Sequence, residues 1–212
     1  MKLGEIKLEA LRLMRAARPG ELYLENLVRL EDDDTVADYL SGIPGALNRA
    51  FSDLEARGVL PGKRAVILSG EGEEGLVRIN LKEKIPDIYC LVKLTLDNDG
   101  FYHPYYSFVR EGEEIIVRIP GGVYEIAAIY KPRIERIFSF TPDDVEIALP
   151  DELCALLPYF IKSELYSEEE PDDAAKAREY YDEGVILLTR EREEGLGKVH
   201  SKYSFCEVVG NE

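Results

Sequence analysis

The sequence predicts an α+β protein: a helical bundle built from N- and C-terminal helices, with an inserted antiparallel β-sandwich or barrel. Three observations predict it. Apolar residues recur at helical spacing near both ends of the chain. Between 64 and 147 the pattern changes to short β-branched and aromatic runs, separated by Gly, Pro, Asn and Asp. Short helices bury little apolar surface alone, so the two helical ends need a shared core. The expected organisation is a discontinuous helical domain from 1–61 and 149–197, a β domain over 62–148, and a tail over 198–212.

The first helix is expected over 3–15, from the spacing of Leu3, Ile6, Leu8, Leu11 and Met14, with Pro19-Gly20 as its stop. Residues 21–30 support no assignment. Glu31 to Asp34 is an acidic run, expected on an exposed turn before a short helix over Thr35–Leu40. Ser41-Gly42-Ile43-Pro44 reads as a break followed by a helix start, because proline is tolerated in a first turn. Ala46, Leu47, Ala50, Phe51 and Leu54 then mark a helix over 43–57, which Gly58 and Pro61-Gly62 end.

About six strands follow: 65–69, 76–80, 88–96, 101–109, 113–119 and 123–131. Asp97 to Gly100 is a hairpin signal. Pro104 demotes the aromatic run 101–109 to an edge or bulged strand. Pro150-Asp151-Glu152 starts a helix over 151–166, and its acids favour the positive end of the helix dipole. Pro158 is expected to kink that helix. A last helix over 171–193 carries Ala174, Ala177, Tyr180, Tyr181, Gly184, Leu187 and Leu188.

Charge limits the function. The chain has 42 acidic and 26 basic residues, a formal net charge of −16, so most of its surface repels nucleic acid. Cys90, Cys154 and Cys206 are widely spaced and form no C-x-x-C pair; Cys90 and Cys154 read as small buried hydrophobes. The amphipathic N-terminus lacks the apolar core of a signal peptide, and no apolar run reaches the length of a membrane span.

Candidate chemistry is sparse. His103 and His200 have no second ligand at metal spacing. The segment 70–75, GEGEEG, lacks the lysine of a phosphate loop, and its three acids would repel phosphate. The carboxylate runs 31–34 and 168–173 lack the alternation of a calcium loop. No Ser/His or Cys/His pairing suggests a nucleophile. Tyr102, Tyr105, Tyr106 and Phe108 have too few flanking cations for stacking on single-stranded nucleic acid, so core or protein interface is the expectation.

The segment PDELCALLPYFIKSELYSEEEPDDAAKAREYYDEGV (150–185) resembles the C-terminal helical hairpin of tailed-phage head–tail connector proteins, the adaptors beneath the portal ring. MKLGEIKLEALRLM and GALNRAFSDLEARGVLP (45–61) are similar to the opening helices of that family. The inserted β region resembles that of short-tailed phage adaptors in type only. The resemblance implies a virion structural protein without enzymatic activity, cofactor or metal. It implies a ring of about twelve copies that contacts itself, the portal protein and tail or neck proteins, with double-stranded DNA passing through the channel. Synthesis is then in the bacterial host cytoplasm, the final location is the head–tail junction, and no membrane is involved.

Aromatic residues anchor protein interfaces, so Tyr159, Tyr166, Tyr180, Tyr181, Tyr203 and Phe205 are the expected contact residues. Two other classes remain open. One is a protein-binding module outside a virion that uses the β domain. The other is a hydrolase with a carboxylate pair that meets only in the fold, which requires a deep pocket and two close acids of perturbed pKa.

Overall fold

The computed structural model describes residues 1–16, 27, 34–98, 101–105, 108–119 and 122–195. In chain order the elements are α1 (Leu3–Leu13), α2 (Asp34–Ala56), β1 (Lys63–Gly72), β2 (Gly75–Asn80), α3 (Leu81–Lys84), β3 (Ile88–Asn98), β4 (Phe101–Tyr105), β5 (Phe108–Glu111), β6 (Glu114–Ile119), β7 (Gly122–Pro132), α4 (Asp151–Cys154), α5 (Leu157–Leu165) and α6 (Pro171–Gly195). The protein is therefore mixed α and β, and among the described residues every strand pairing is antiparallel. The chain divides into two compact units. Of the described residues, one unit combines Met1–Val59 with Ile134–Gly195 and the other contains Leu60–Arg133.

In the helical unit, α1 buries Leu3, Ile6, Ala10 and Leu11, one face of the helix. Its unsatisfied N-terminal donors are met from far along the chain: the N–H groups of Leu3 and Gly4 donate to the carbonyls of Val145 and Asp143, both at 2.9 Å. The Glu5 carboxylate accepts from the Lys2 N–H at 2.7 Å. The Pro19-Gly20 stop, residues 21–26 and 28–30, and the acidic run 31–33 lie outside the described residues.

The expected break at Ser41-Gly42-Ile43-Pro44 does not occur. One helix runs from Asp34 through Ala56 with Pro44 inside it. An interior proline costs about 3 kcal/mol. Burial offsets that cost here, because Val36, Tyr39, Leu40, Ile43, Leu47, Phe51 and Leu54 make one continuous buried face through the proline. Gly42 serves packing: a Cβ there would lie 2.9 Å from Leu165 Cδ2.

Pro158 also acts differently from expectation. It does not kink one long helix but opens a new one, α5, after the short α4 ends at Cys154. Proline in a first turn forfeits no intrahelical bond, so separation at 155–156 is the cheaper arrangement. On α6 the buried positions are Ala174, Ala177, Tyr181 and Val185, while Leu187, expected on the apolar stripe, is exposed.

The β unit has two sheets. One has strand order β1-β7-β3-β4 and the other β2-β6-β5. Among the described residues neither sheet closes on itself, so a barrel is not formed. The tight links explain this. Gly70-Glu71-Gly72 finishes β1, yet β2 beyond it pairs with β6 in the other sheet. Likewise β6 and β7 lie in different sheets, joined at Gly122, whose φ is +90°, a value glycine adopts without strain. These links carry the chain between sheets and build no hairpin. The expected single strand 101–109 is likewise two, β4 and β5, one in each sheet. Pro104 sits on β4, an edge strand, where a missing N–H breaks no ladder. The turn residues Asp99-Gly100 lie outside the described residues, but Asn98 and Phe101 pair across it.

Both sheets and α3 contribute to one buried cluster, which includes Ile67, Ile79, Leu81, Leu94, Ile115, Val117 and Ile126. The Asn80 side chain caps α3, accepting from the N–H groups of Lys82 and Glu83. The strands end at Pro132. Residues 134–148, expected in the β domain, belong to the helical unit.

Candidate interaction surface

The stretch from Ile134 to Ala148 has no helix and no strand, yet side chains and backbone groups of the helical unit hold it. Glu55, 3% exposed on α2, accepts from the Ile134 N–H at 2.7 Å and pairs with Arg136, also at 2.7 Å. Asn48, two turns earlier, bonds both backbone groups of Ile137. Further on, Lys7 pairs with Asp143 at 2.7 Å and the Ile147 N–H donates to the Met1 carbonyl at 3.0 Å.

Within this frame a short turn displays two aromatic rings. The Phe138 N–H donates to Thr141 Oγ1, and the Thr141 N–H donates to the Phe138 carbonyl, each at 3.0 Å. Phe138 and Phe140 consequently lie parallel, with centroids 5.4 Å apart and planes within 2°. They are 55% and 81% exposed. They flank a cavity of about 390 Å³ lined by Ile134, Ile137, Pro142, Val145 and Ile147, with Glu135 and Glu146 among its charged lining residues. Large exposed aromatics over a firmly held backbone are the makings of a binding anchor.

The tyrosines expected at interfaces divide. Tyr181 is fully buried and belongs to the intrachain core: its hydroxyl donates to Asp53 at 2.9 Å and its ring meets Phe160 edge-on at 5.0 Å. Burial, then the Asp53 charge, push its pKa above the ordinary phenol value. Arg57 and Arg178 surround the same carboxylate, at 2.8 and 3.7 Å, so Asp53 ties α2 to α6. Tyr180, next in sequence, points outward, 53% exposed, and packs on Tyr159 with centroids 4.2 Å apart. Tyr166 lies 6.5 Å from Tyr39 and under the Lys162 ammonium. Tyr203 and Phe205 lie outside the described residues. Leu187, two turns beyond Tyr180 on the same face of α6, is also exposed.

Phe138 and Phe140 were missed by sequence reasoning. Their signal is an alternating Phe-Ser-Phe before Thr-Pro, which resembles the end of a strand.

Among the described residues no group of three His, Cys, Asp or Glu side chains is gathered as a metal-ligand set. Among the described residues the carboxylates with clearly displaced pKa values are Asp87 and Asp173, and both move down. Partial burial opposes ionisation of Asp87, but hydrogen bonds from Lys63 and Tyr130 outweigh it. The nearby Lys162 charge holds Asp173 down. A general acid at neutral pH needs the opposite shift. Cys90 and Cys154 are buried, and burial pushes the Cys154 thiol up to about 11. Among the described residues no helix is long and apolar enough to cross a membrane. The chain matches no protein-family model and no curated protein sequence.

Proposed function

We propose that the protein is a head–tail connector subunit of a tailed phage, assembling as a ring beneath the portal and contacting tail or neck proteins on its other side. The observation that carries this reading is the outer surface of α6. Tyr180 and Leu187 lie seven residues apart, two turns on one helix face, and each is more than half exposed. A surface of this kind gains by packing against a copy of itself or a neighbouring protein. The sequence resemblance over 150–185 covers the same helices.

The rest of the architecture fits this reading. The helical unit is taken as a bundle and the β unit as a two-sheet sandwich that contributes separate contacts. A net charge of −16 suits a channel through which duplex DNA slides without adhering. The protein-binding module remains the runner-up, favoured by Leu76 and Val109, exposed on edge strands of the three-stranded sheet.

Native mass spectrometry of the full chain, mixed with the portal protein encoded by the same genome, tests the proposal. The expected result is a portal complex carrying many copies, reduced by Tyr180→Ser with Leu187→Ser. Absence of any complex would overturn it.

A further inference from the structure

The groove between 134 and 148 is an apolar cavity with an acidic border. Glu135 and Glu146, both exposed, are among its lining residues, and neither carboxylate has an ion-pair partner among the described residues, although Lys2 lies opposite Glu146 in an isolated β-bridge. Asp144, exposed beside it, likewise has none. Arg136 does not offset them, because it is committed to the buried Glu55.

The border decides which occupant is suited. Two copies meeting through their own Phe138–Phe140 pairs would bring the two sets of carboxylates together, which is unfavourable. The complementary occupant is aromatic and basic. The segment 198–205, KVHSKYSF, has that character: two lysines, a histidine and two aromatic residues, and no acid. It belongs to the 17-residue stretch after Gly195, outside the described residues.

We propose that the groove of Ile134–Ala148 is the receptor for residues 198–205 of the chain's C-terminal segment. Phe138 and Phe140 provide the apolar contact for Tyr203 and Phe205. Glu135, Asp144 and Glu146 provide the field for Lys198 and Lys202. This does not depend on the connector reading, since a groove and its ligand carried on one chain serve equally for closure on itself or for linking copies.

Cysteine geometry makes the test direct. Cys90 and Cys154 are buried at 1% and 0% exposure, and Cys206 adjoins the proposed ligand. In the full chain, Ala148→Cys places a thiol at an exposed position lining the groove. Mild copper–phenanthroline oxidation in air should join it to Cys206. Disulfide formation should be about tenfold faster than for Ser167→Cys, an exposed position outside the groove. A product of monomer mass indicates closure on the same chain and one of dimer mass indicates exchange between copies; either supports the proposal. Adding Lys198→Glu and Lys202→Glu should slow the reaction about tenfold. As a second measurement, Phe138→Ala with Phe140→Ala should slow it while leaving the circular dichroism unchanged, since both rings are exposed. Equal rates at the two introduced thiols, or rates indifferent to the lysine and phenylalanine substitutions, would overturn it. So would self-association that persists after removal of 197–212 and is abolished by the phenylalanine substitutions, which would make a second copy's groove the occupant.

Discussion

Asn48 and Ile137 meet as two adjacent strands would, although neither lies in a sheet. The Asn48 amide Nδ2 donates to the Ile137 carbonyl at 2.7 Å, and its Oδ1 accepts from the Ile137 N–H at 2.9 Å. One side chain thus replaces a strand partner for a backbone stretch that has none. The exposed Phe138 follows directly, so this pair of bonds positions the candidate groove.

Replacing Asn48 separates its two bonds. Asn48→Asp retains an acceptor for the Ile137 N–H but opposes the Ile137 carbonyl with a charged oxygen. Asn48→Ala removes both partners and should cost about 2 kcal/mol of unfolding free energy. Urea denaturation measures this, and Asn48→Asp is expected to be at least as damaging as Asn48→Ala.

Glu55 is a buried charge of the helical unit, 3% exposed. Truncating one partner of a buried ion pair costs about 3–5 kcal/mol. Glu55→Ala also strands the Ile134 N–H, so its loss should fall in that range. Arg136→Ala leaves the carboxylate, 3% exposed, without its counter-charge and should also fall in that range. The double variant should lose less than the sum of the two, a coupling measurable by a double-mutant cycle from denaturation curves.

Two glycines in helices should respond to alanine with opposite signs. Gly45 on α2 is exposed, and the nearest atom to an added Cβ is the Arg49 guanidinium at 3.6 Å. Gly45→Ala should stabilise by about 1 kcal/mol through helix propensity. At Gly184 on α6 the same Cβ would lie 2.6 Å from Leu156 Cδ2 and 2.9 Å from Cδ1. Leu156 is buried, so overpacking should outweigh propensity and destabilise by about 1 kcal/mol. Thermal unfolding of both variants checks the signs.

The phenols of Tyr39 and Tyr181 both titrate above the ordinary value, chiefly through burial and then through Glu169 and Asp53 respectively. Above about pH 10 the unfolded tyrosine has lost its proton while the folded one retains it, so the unfolded state binds fewer protons and stability falls as pH rises. The stabilisation is fully present below the unfolded pKa and is lost on the way up to the folded one. Urea midpoints between about pH 9 and 11 should decline for the natural chain. The decline should be shallower in Tyr181→Phe, and a slope unchanged by that substitution would remove Tyr181 from the account.

The helices with unbroken apolar spacing were legible in the sequence, because α1 and α5 repeat buried residues at three- and four-residue intervals. The strands were legible from β-branched runs, but their partners were not. Gly70-Glu71-Gly72 and Pro120-Gly121-Gly122 have the composition of hairpin turns, yet connect strands in different sheets. Local composition states that the chain turns; which strand it meets afterwards depends on the apolar faces that both sheets turn toward Ile115 and Ile126. Pro44 illustrates the same limit, since a local rule about proline yields to a buried face several turns long.

Composition and periodicity alone determined that this is a strongly acidic chain with helices at its ends and antiparallel strands between. Those properties depend on neighbours within a few residues, where backbone geometry and side-chain spacing act directly. Tertiary structure alone decided that Tyr181 faces inward and Tyr180 outward, and that 134–148 leaves the β unit to display Phe138 and Phe140. Each of those outcomes hangs on a polar group more than seventy residues away, Asp53 for Tyr181 and Glu55 for Ile134. A buried hydrogen bond is satisfied by whatever the fold brings near, and no local pattern records it.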